Sequence, residues 1–238
     1  MSLTMAQETL LIISPHLDDA VLSCADHALD WQDRGGAVTV LTLFSDAGSG
    51  VSMLLGTAGQ PCTDGHQRMR QRRKEDEVAM RQLGFEFSHL GMVDAAFRGR
   101  DGSDFPDLAT LWGSTLGKGG DELATTAAGR LLPWISAAAL VFAPLGVGGH
   151  VDHLIARAAC EQAWGASAMA YYADMPYARA PWRWQAAQCR QAAVSRRSWR
   201  WISPRKERVL RAYTSQMPQL FMSRPRFPEL LLQRVQVR

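Results

Sequence analysis

The amino-acid sequence predicts an α/β fold of the Rossmann-like type, with a mostly parallel sheet and helices on both faces. Short apolar runs alternate along the chain with longer segments in which apolar residues recur at helical spacing. The two clearest apolar runs each lead into a turn containing proline or glycine, and then into a helical pattern. The 238 residues suit one domain and are few for two independent cores. We therefore expect residues 1–238 to form a single domain.

The first strand and helix lie near the start of the chain. Leu10–Ser14 is an apolar run that ends at Pro15, which is typical of a buried parallel strand. A helix is predicted to begin at Asp18–Asp19 and to end at Gly35, because apolar residues recur at helical spacing between them. Ala37–Phe44 is rich in β-branched residues and predicts the second parallel strand.

The remaining elements continue this alternation. Further helices are predicted over Gln67–Leu83, Asp121–Ile135, Val151–Trp164 and Pro204–Gln216. Further strands are predicted over Phe85–Leu90, Ala139–Ala143, Met169–Tyr172 and Gln188–Val194. Gly48–Gly65 is rich in Gly, Ser, Thr and Pro without any period, and we interpret it as a long loop that acts as a lid.

The composition disfavours several classes of protein. With 47% hydrophobic and 21% charged residues, the chain resembles a soluble globular protein and not a disordered one. The net charge of +3 is small, and the basic clusters at Arg68–Lys74 and Arg190–Arg211 are interpreted as a solvated helix start and a surface strand. We therefore expect no nucleic-acid partner.

The cysteines and the apolar runs indicate the compartment. The 4 cysteines form no Cys-x-x-Cys pair, which disfavours both disulfide bonds and a thiolate zinc site. No apolar run approaches the roughly 18 residues of a membrane span, and no signal-peptide pattern precedes the first strand. We expect a soluble, cytoplasmic protein; the tryptophan-rich surface leaves a homo-oligomer possible.

Two polar segments follow predicted strands, at Pro15–Asp19 and Gly149–His153. Parallel strands end at the same edge of a sheet, so the two segments are expected to converge there. Together they supply three histidines and three aspartates. Nitrogen and oxygen donors of this kind suit Zn²⁺, with Fe²⁺ or Mn²⁺ as alternatives. Each segment alone could simply cap a helix, but the pair favours a metal site.

Both segments resemble known signatures. Pro15–Asp19 resembles the His-Pro-Asp-Asp motif of the PIG-L/LmbE family of zinc-dependent N-acetylglucosaminyl deacetylases, and His150–His153 resembles its His-x-Asp-His motif. Two departures are Leu17, where the family usually has proline, and Ala20, where many members have glutamate.

Weaker similarities extend the resemblance from Leu10 to about Gln216. Arg72 and Glu75 resemble the family's Arg-x-x-Glu helix, and Asp94 resembles an aspartate of its substrate loop. The segment from Lys206 to Gln216 resembles the family's C-terminal helix.

The resemblance implies a role for each matching residue. The implied metal ligands are His16, Asp19 and His153. The implied catalytic residues are Asp18 as general base, His150 as the donor to the oxyanion and Asp152 as the residue that orients an imidazole. The implied substrate-binding residues are Arg72 and Asp94.

The reaction implied is zinc-dependent hydrolysis of an N-acyl amide, most simply an N-acetyl group, on an amino sugar or glycoconjugate. The products would be acetate and a free amine. For Arg72 the sequence leaves a second interpretation open, in which it pairs with Glu75 or Asp76 on the helix surface.

Two other functions remain as alternatives. A catalytically silent member of the family would keep the metal and act as a binding module. A Rossmann-type nucleotide-binding protein would share the fold, but no Gly-x-Gly-x-x-Gly motif follows the first strand and Gly146–Gly149 is a weak match to it.

Overall fold

The fold is an α/β arrangement with one central sheet. The computed structural model describes residues 8–48, 64–98, 118–164, 169–179, 194–217 and 228–234. The strands in these ranges are β1 (Thr9–Ser14), β2 (Ala37–Asp46), β3 (Glu86–Val93), β4 (Leu140–Pro144), β5 (Met169–Tyr172), β6 (Val194–Arg200) and β7 (Glu229–Arg234). The α-helices are α1 (Asp19–Asp33), α2 (Gly65–Leu83), α3 (Lys118–Ile135), α4 (Val151–Trp164) and α5 (Pro204–Leu210).

The strands of the described ranges form a seven-stranded sheet in the order β3-β2-β1-β4-β5-β7-β6. The first five strands in this order run parallel, and β7 runs antiparallel to both β5 and β6. In the centre, Leu10 of β1 lies beside Val38 of β2 on one side and Leu140 of β4 on the other. The predicted mostly parallel sheet is confirmed.

Helices cover both faces of this sheet. Leu10 and Ile12 of β1 pack in a core with α1, α2 and α5, whereas Leu11 and Ile13 pack in a second core with α3 and α4. Successive side chains of a strand point to opposite faces, so a continuous apolar strand supplies both cores. This accounts for the unbroken apolar run that begins at Leu10.

Helix α1 is interrupted in its middle. Cys24 has φ −149° and ψ 15°, so the backbone leaves helical geometry there. In a regular helix the N–H groups of Asp26 and His27 would bind carbonyl groups four residues earlier. Here both donate to the carboxylate of Glu229 on β7, at 2.8 and 3.0 Å, and the His27 ring nitrogen Nδ1 lies 2.8 Å from the same group. A distant carboxylate therefore caps the second half of α1.

Lys206 completes this arrangement. Its Nζ donates to the Leu22 carbonyl of α1 at 2.7 Å and to Glu229 Oε1 at 2.6 Å. Lys206 and Glu229 are both fully buried. The ion pair thus satisfies backbone groups on both sides of the interruption and joins α1, α5 and β7.

The predicted end of the last helix is wrong. A single helix was expected over Pro204–Gln216, but α5 ends at Leu210 and the chain continues as a series of turns. Glu75 of α2 accepts hydrogen bonds there from Thr214 Oγ1 at 2.7 Å and from Ser215 N and Oγ at 3.0 and 2.6 Å. These tertiary bonds replace the backbone bonds that would have extended the helix.

The last strands also differ from expectation. The sequence favoured a strand over Gln188–Val194; residues 188–193 lie outside the described ranges, and the strand found is Val194–Arg200. Strand β7 was not predicted. Most of the proposed lid, residues 49–63, lies outside the described ranges.

Two further findings bear on the sequence predictions. Cys24 and Cys160 are buried free thiols. Among the described helices, none has both the length and the apolar character required to cross a membrane.

We predict that Lys206→Met lowers the free energy of unfolding by about 3–5 kcal/mol, because it leaves Glu229 as an uncompensated buried charge. Urea denaturation followed by circular dichroism measures this change. Arg81→Met is the control: Arg81 is exposed and pairs with Glu77 on the surface of α2, so its loss should cost about 1 kcal/mol or less. Equal effects of the two substitutions would contradict a stabilising role for the buried pair.

Candidate metal centre and active site

The first part of the site is the turn between β1 and α1. Ser14 Oγ donates to the His16 carbonyl at 2.7 Å and accepts from Ala20 N at 3.1 Å. The backbone N–H of His16 donates to Asp19 Oδ2 at 2.9 Å. These bonds fix the turn at the end of β1, and with it the direction of the His16 and Asp19 side chains.

The second part is the glycine-rich turn between β4 and α4. Gly146, Gly148 and Gly149 all have positive φ, at 82°, 91° and 71°. Such angles favour glycine, and a Cβ atom at Gly146 would also lie 2.8 Å from Leu154 Cδ2. The turn brings His150 and the start of α4 to the end of β1, beside His16.

The structure brings the predicted metal ligands together. Ring nitrogens of His16, His150 and His153 lie within 4.8 Å of one another. Asp19 Oδ2 is 3.2 Å from His16 Nδ1 and 3.3 Å from His153 Nε2. All four side chains are buried. A second group of possible ligand atoms, from His16, Asp94 and Asp152, also lies within 4.8 Å.

These donors fit a divalent cation. Bonds of 2.0–2.1 Å to a tetrahedral metal place neighbouring ligand atoms about 3.3 Å apart, close to the separations of Asp19 Oδ2 from the two ring nitrogens. His153 Nε2 is buried and, among the described residues, has no hydrogen-bond partner. A buried ring nitrogen 3.3 Å from a carboxylate oxygen, without a hydrogen bond to it, is placed so that both can bind one cation.

Each of the two histidines nearest Asp19 also contacts a second carboxylate through its other ring nitrogen. Asp152 Oδ2 lies 3.0 Å from His16 Nε2, and Asp174 Oδ1 lies 2.6 Å from His153 Nδ1. Asp152 further accepts hydrogen bonds from the Ala95 backbone N–H and from Arg98 Nη2, at 2.9 and 2.5 Å. The imidazole that Asp152 contacts most closely is thus that of His16.

Different neighbouring charges give the buried aspartates different acidities. Burial raises the pKa of Asp18 to about 6, against the opposing charge of Arg72 and with the help of the Asp19 charge. Burial would also raise the pKa of Asp19, but the charge of His153 and the hydrogen bonds from His16 outweigh it and lower that pKa to about 2. The pKa of Asp152 is likewise lowered: Arg98 and His16 together outweigh its burial.

His150 differs from the other two histidines. Burial, assisted by the charge of His16, lowers the pKa of His150 to about 3, so its ring is neutral. One ring nitrogen, Nδ1, accepts from the Asp152 backbone N–H at 3.3 Å, which leaves Nε2 as the N–H donor. The ring of Tyr177 stacks at 6.4 Å from the ring of His150.

The predicted substrate residues lie beside the catalytic candidates. Arg72 is buried, with Nη2 3.7 Å from Asp18 Oδ1 and Nη1 3.6 Å from Asp94 Oδ2. The other interpretation of Arg72, pairing with Glu75 or Asp76, is not what the described contacts show. Glu75 instead binds Thr214 and Ser215, and Asp76 binds His89 and Tyr213.

Sequence reasoning missed two members of this cluster. Neither Arg98 nor Asp174 was given a role from the sequence. Asp174 lies two residues after Tyr172, the last residue of β5, so the rule that found the other sites, a polar residue after a buried parallel strand, applies to it as well.

Comparisons with known proteins agree on one family. The family model described as PIG-L, GlcNAc-PI de-N-acetylase, matches residues 11–164. A 2'-N-acetylparomamine deacetylase from Streptomyces fradiae is 33% identical over 172 residues, which cover 71% of this chain and 57% of that protein. The chain therefore spans little more than half the length of this relative.

Solved structures share the fold. The complex described as deacetylase-bog, from the biosynthesis pathway of teicoplanin, has a TM-score of 0.74 and 21% identity, covering 97% of this chain and 100% of that chain. The zinc-inhibited form of teicoplanin deacetylase Orf2 has a TM-score of 0.70 with the same identity and coverage. At this identity the likeness concerns the fold alone. With a family model matching more than half of its length, the chain belongs to the PIG-L family of GlcNAc-PI de-N-acetylases.

Proposed function

We propose that this protein is a metal-dependent amide hydrolase that removes an N-acetyl group from an amino sugar or glycoconjugate. The observation that carries the proposal is the position of Asp18: this buried carboxylate precedes Asp19 in the chain and interacts electrostatically with Asp19 and His16. Membership of a de-N-acetylase family and the 2'-N-acetylparomamine deacetylase relative support this choice of bond and substrate class.

The residues proposed to hold the metal are His16 through Nδ1, Asp19 through Oδ2 and His153 through Nε2. Zn²⁺ is the ion that this set of two imidazoles and one carboxylate suits best, with Fe²⁺ and Mn²⁺ as alternatives. When bound, such a cation supplies Lewis-acid chemistry: it polarises the amide carbonyl and lowers the pKa of water to about 7.

Asp18 is proposed to move the proton. It takes a proton from the attacking water and later gives the same proton to the amine nitrogen, so that the C–N bond breaks to release acetate and a free amine. The guanidinium of Arg72, 3.7 Å from Asp18 Oδ1, helps to hold this carboxylate in place.

His150 is proposed to stabilise the oxyanion of the tetrahedral intermediate. A neutral imidazole that accepts a backbone N–H on Nδ1 presents its own N–H on Nε2, and the His150 ring packs in an edge arrangement with the His16 and His153 rings. Asp152 is proposed to act on the site by orienting the His16 ring.

Arg72 and Asp94 are proposed to bind hydroxyl groups of the sugar. Their charged groups lie 3.6 Å apart, longer than a direct hydrogen bond. A hydroxyl group could therefore donate to Asp94 Oδ2 and accept from Arg72 in the same place. A small-molecule substrate, a cytoplasmic location and the absence of a nucleic-acid partner stay predictions.

We predict that Asp18→Asn lowers kcat by at least about 100-fold, because the amide cannot accept the proton from water. Amine release from 2'-N-acetylparomamine, N-acetylglucosamine and related N-acetyl sugars measures kcat, and elemental analysis measures bound metal. The variant should keep the metal, since Asp18 is not a proposed ligand. A wild-type protein that binds metal but cleaves none of these substrates would favour the silent family member instead.

We predict that Asp19→Ala and His153→Ala each lose the bound metal, because each removes one of three proposed ligands. Chelation of the metal from the wild-type protein should abolish amine release. Zn²⁺, Fe²⁺ and Mn²⁺ are then added separately, and one equivalent of the native ion should restore amine release. His89→Gln is a matched control, since His89 pairs with Asp76 outside the cluster. Unchanged metal content in Asp19→Ala and His153→Ala would rule out the ligand assignment.

A further inference from the structure

Asp174 is a fully buried carboxylate to which the proposed reaction assigns no role. Its Oδ1 lies 2.6 Å from His153 Nδ1, and its Oδ2 accepts the backbone N–H of Val147 at 2.7 Å. The two oxygens therefore have different partners, one on α4 and one in the glycine-rich turn. Asp174 thus links the end of β5 to helix α4 and to the glycine-rich turn that precedes it.

The backbone around Asp174 is also held in place. The N–H of Met175 donates to Ser23 Oγ on α1 at 3.1 Å, and the N–H of Ala173 donates to the Leu230 carbonyl on β7 at 2.9 Å. The Asp174 carbonyl accepts from Ala178 N at 2.8 Å. These bonds fix the position of the Asp174 carboxylate, whichever nitrogen of the His153 ring carries the proton.

This arrangement decides which nitrogen of His153 carries the proton. A backbone N–H can only donate, so Val147 fixes Oδ2 as an acceptor, and both oxygens of a carboxylate accept. His153 must therefore donate through Nδ1, so that Nε2, 3.3 Å from Asp19 Oδ2, is the ring nitrogen left for a metal. His16 shows the opposite arrangement, with Nε2 facing Asp152 and Nδ1 facing Asp19.

We infer that Asp174 is a positioning residue of the metal centre: it holds His153 in the tautomer protonated on Nδ1, so that Nε2 is free to bind the metal. The inference rests on the proposed function, because it assumes a metal at Nε2. Carboxylates behind metal-binding histidines fix ring orientation and tautomer in this way, and their loss commonly weakens metal binding 10- to 100-fold.

Asp174→Asn provides a sharp test, because asparagine has the same shape but only one acceptor oxygen. That oxygen must face the Val147 N–H, because a backbone N–H can act only as a hydrogen-bond donor. The amide NH₂ then faces His153 Nδ1 and favours the tautomer protonated on Nε2, the nitrogen needed by the metal. Asp174→Ala removes the same charge but imposes neither tautomer. Asn is therefore expected to weaken metal binding more than Ala does.

We predict that Asp174→Asn raises the Kd for Zn²⁺ at least about 10-fold over wild type. The Kd of Asp174→Asn should also be higher than the Kd of Asp174→Ala. Competition with a chromophoric chelator measures the Kd, and thermal unfolding of the metal-free proteins measures stability. Asp174→Ala should be the less stable of the two, because it leaves both N–H groups without an acceptor. A merely structural role would make Ala the worse variant in both measurements.

Glu161→Gln is the control. Glu161 also joins α4 to β5, through a hydrogen bond from Tyr171 OH at 2.8 Å, but it is not among the residues of the metal cluster. The Kd of the Glu161→Gln variant for Zn²⁺ should stay within about two-fold of wild type, because no contact that positions a metal ligand is lost.

The outcomes separate the two proposals. A wild-type chain with no affinity for Zn²⁺, Fe²⁺ or Mn²⁺ overturns the proposed function and this inference with it. A wild-type chain that binds metal, with Asp174→Asn binding as tightly as wild type or no more weakly than Asp174→Ala, overturns this inference alone. If Asp174→Ala does not fold, nitrogen-15 NMR of the His153 ring in the metal-free Asp174→Asn variant decides. A neutral His153 that is still protonated on Nδ1 overturns the inference.

Discussion

The parallel pairing of β1 with β4 at the centre of the sheet is the constraint on which the site depends. Leu10 pairs with Leu140 and Ile12 with Phe142, so the two strands end at the same edge. The chain after β1 continues to β2 on one side, whereas β4 lies on the other. A crevice opens where the strand order diverges in this way. His16 and Asp152, 136 positions apart in the chain, come within 3.0 Å there.

The site collects buried charge that the fold must stabilise. Asp18, Asp19, Asp94 and Asp152 are all buried near the histidines. Arg98 and a backbone N–H satisfy Asp152, and Arg72 lies between Asp18 and Asp94. Unpaired, each such charge would cost several kcal/mol, of the order of the whole stability of a domain. The apolar cores on both sheet faces make this concentration of charge tolerable, and a divalent cation would offset it further.

The parts of the molecule that sequence predicted are those whose determinants are local. Buried strands and the polar turns after them appear as short contiguous patterns, which is why the Pro15–Asp19 and Gly149–His153 segments could be found. The end of α5 could not, because it depends on bonds from Thr214 and Ser215 to Glu75, 139 and 140 positions away. The interruption of α1 similarly depends on Glu229, more than 200 positions from Asp26. Periodicity carries no information about such distant partners.

Asp18 and Asp19 illustrate how far position alone can differentiate identical residues. They are adjacent in the chain, but Asp19 is the first residue of α1 whereas Asp18 precedes the helix with non-helical backbone angles, so the two side chains meet different neighbours. Asp19 faces two imidazoles and accepts the backbone N–H of His16, which together favour its charged form. Asp18 has the Arg72 guanidinium 3.7 Å away, too far for a hydrogen bond, and the like charge of Asp19 nearby, so burial dominates and raises its pKa. A carboxylate that binds a metal must stay charged, which suits Asp19. A carboxylate that carries a proton must gain and lose it, which suits Asp18.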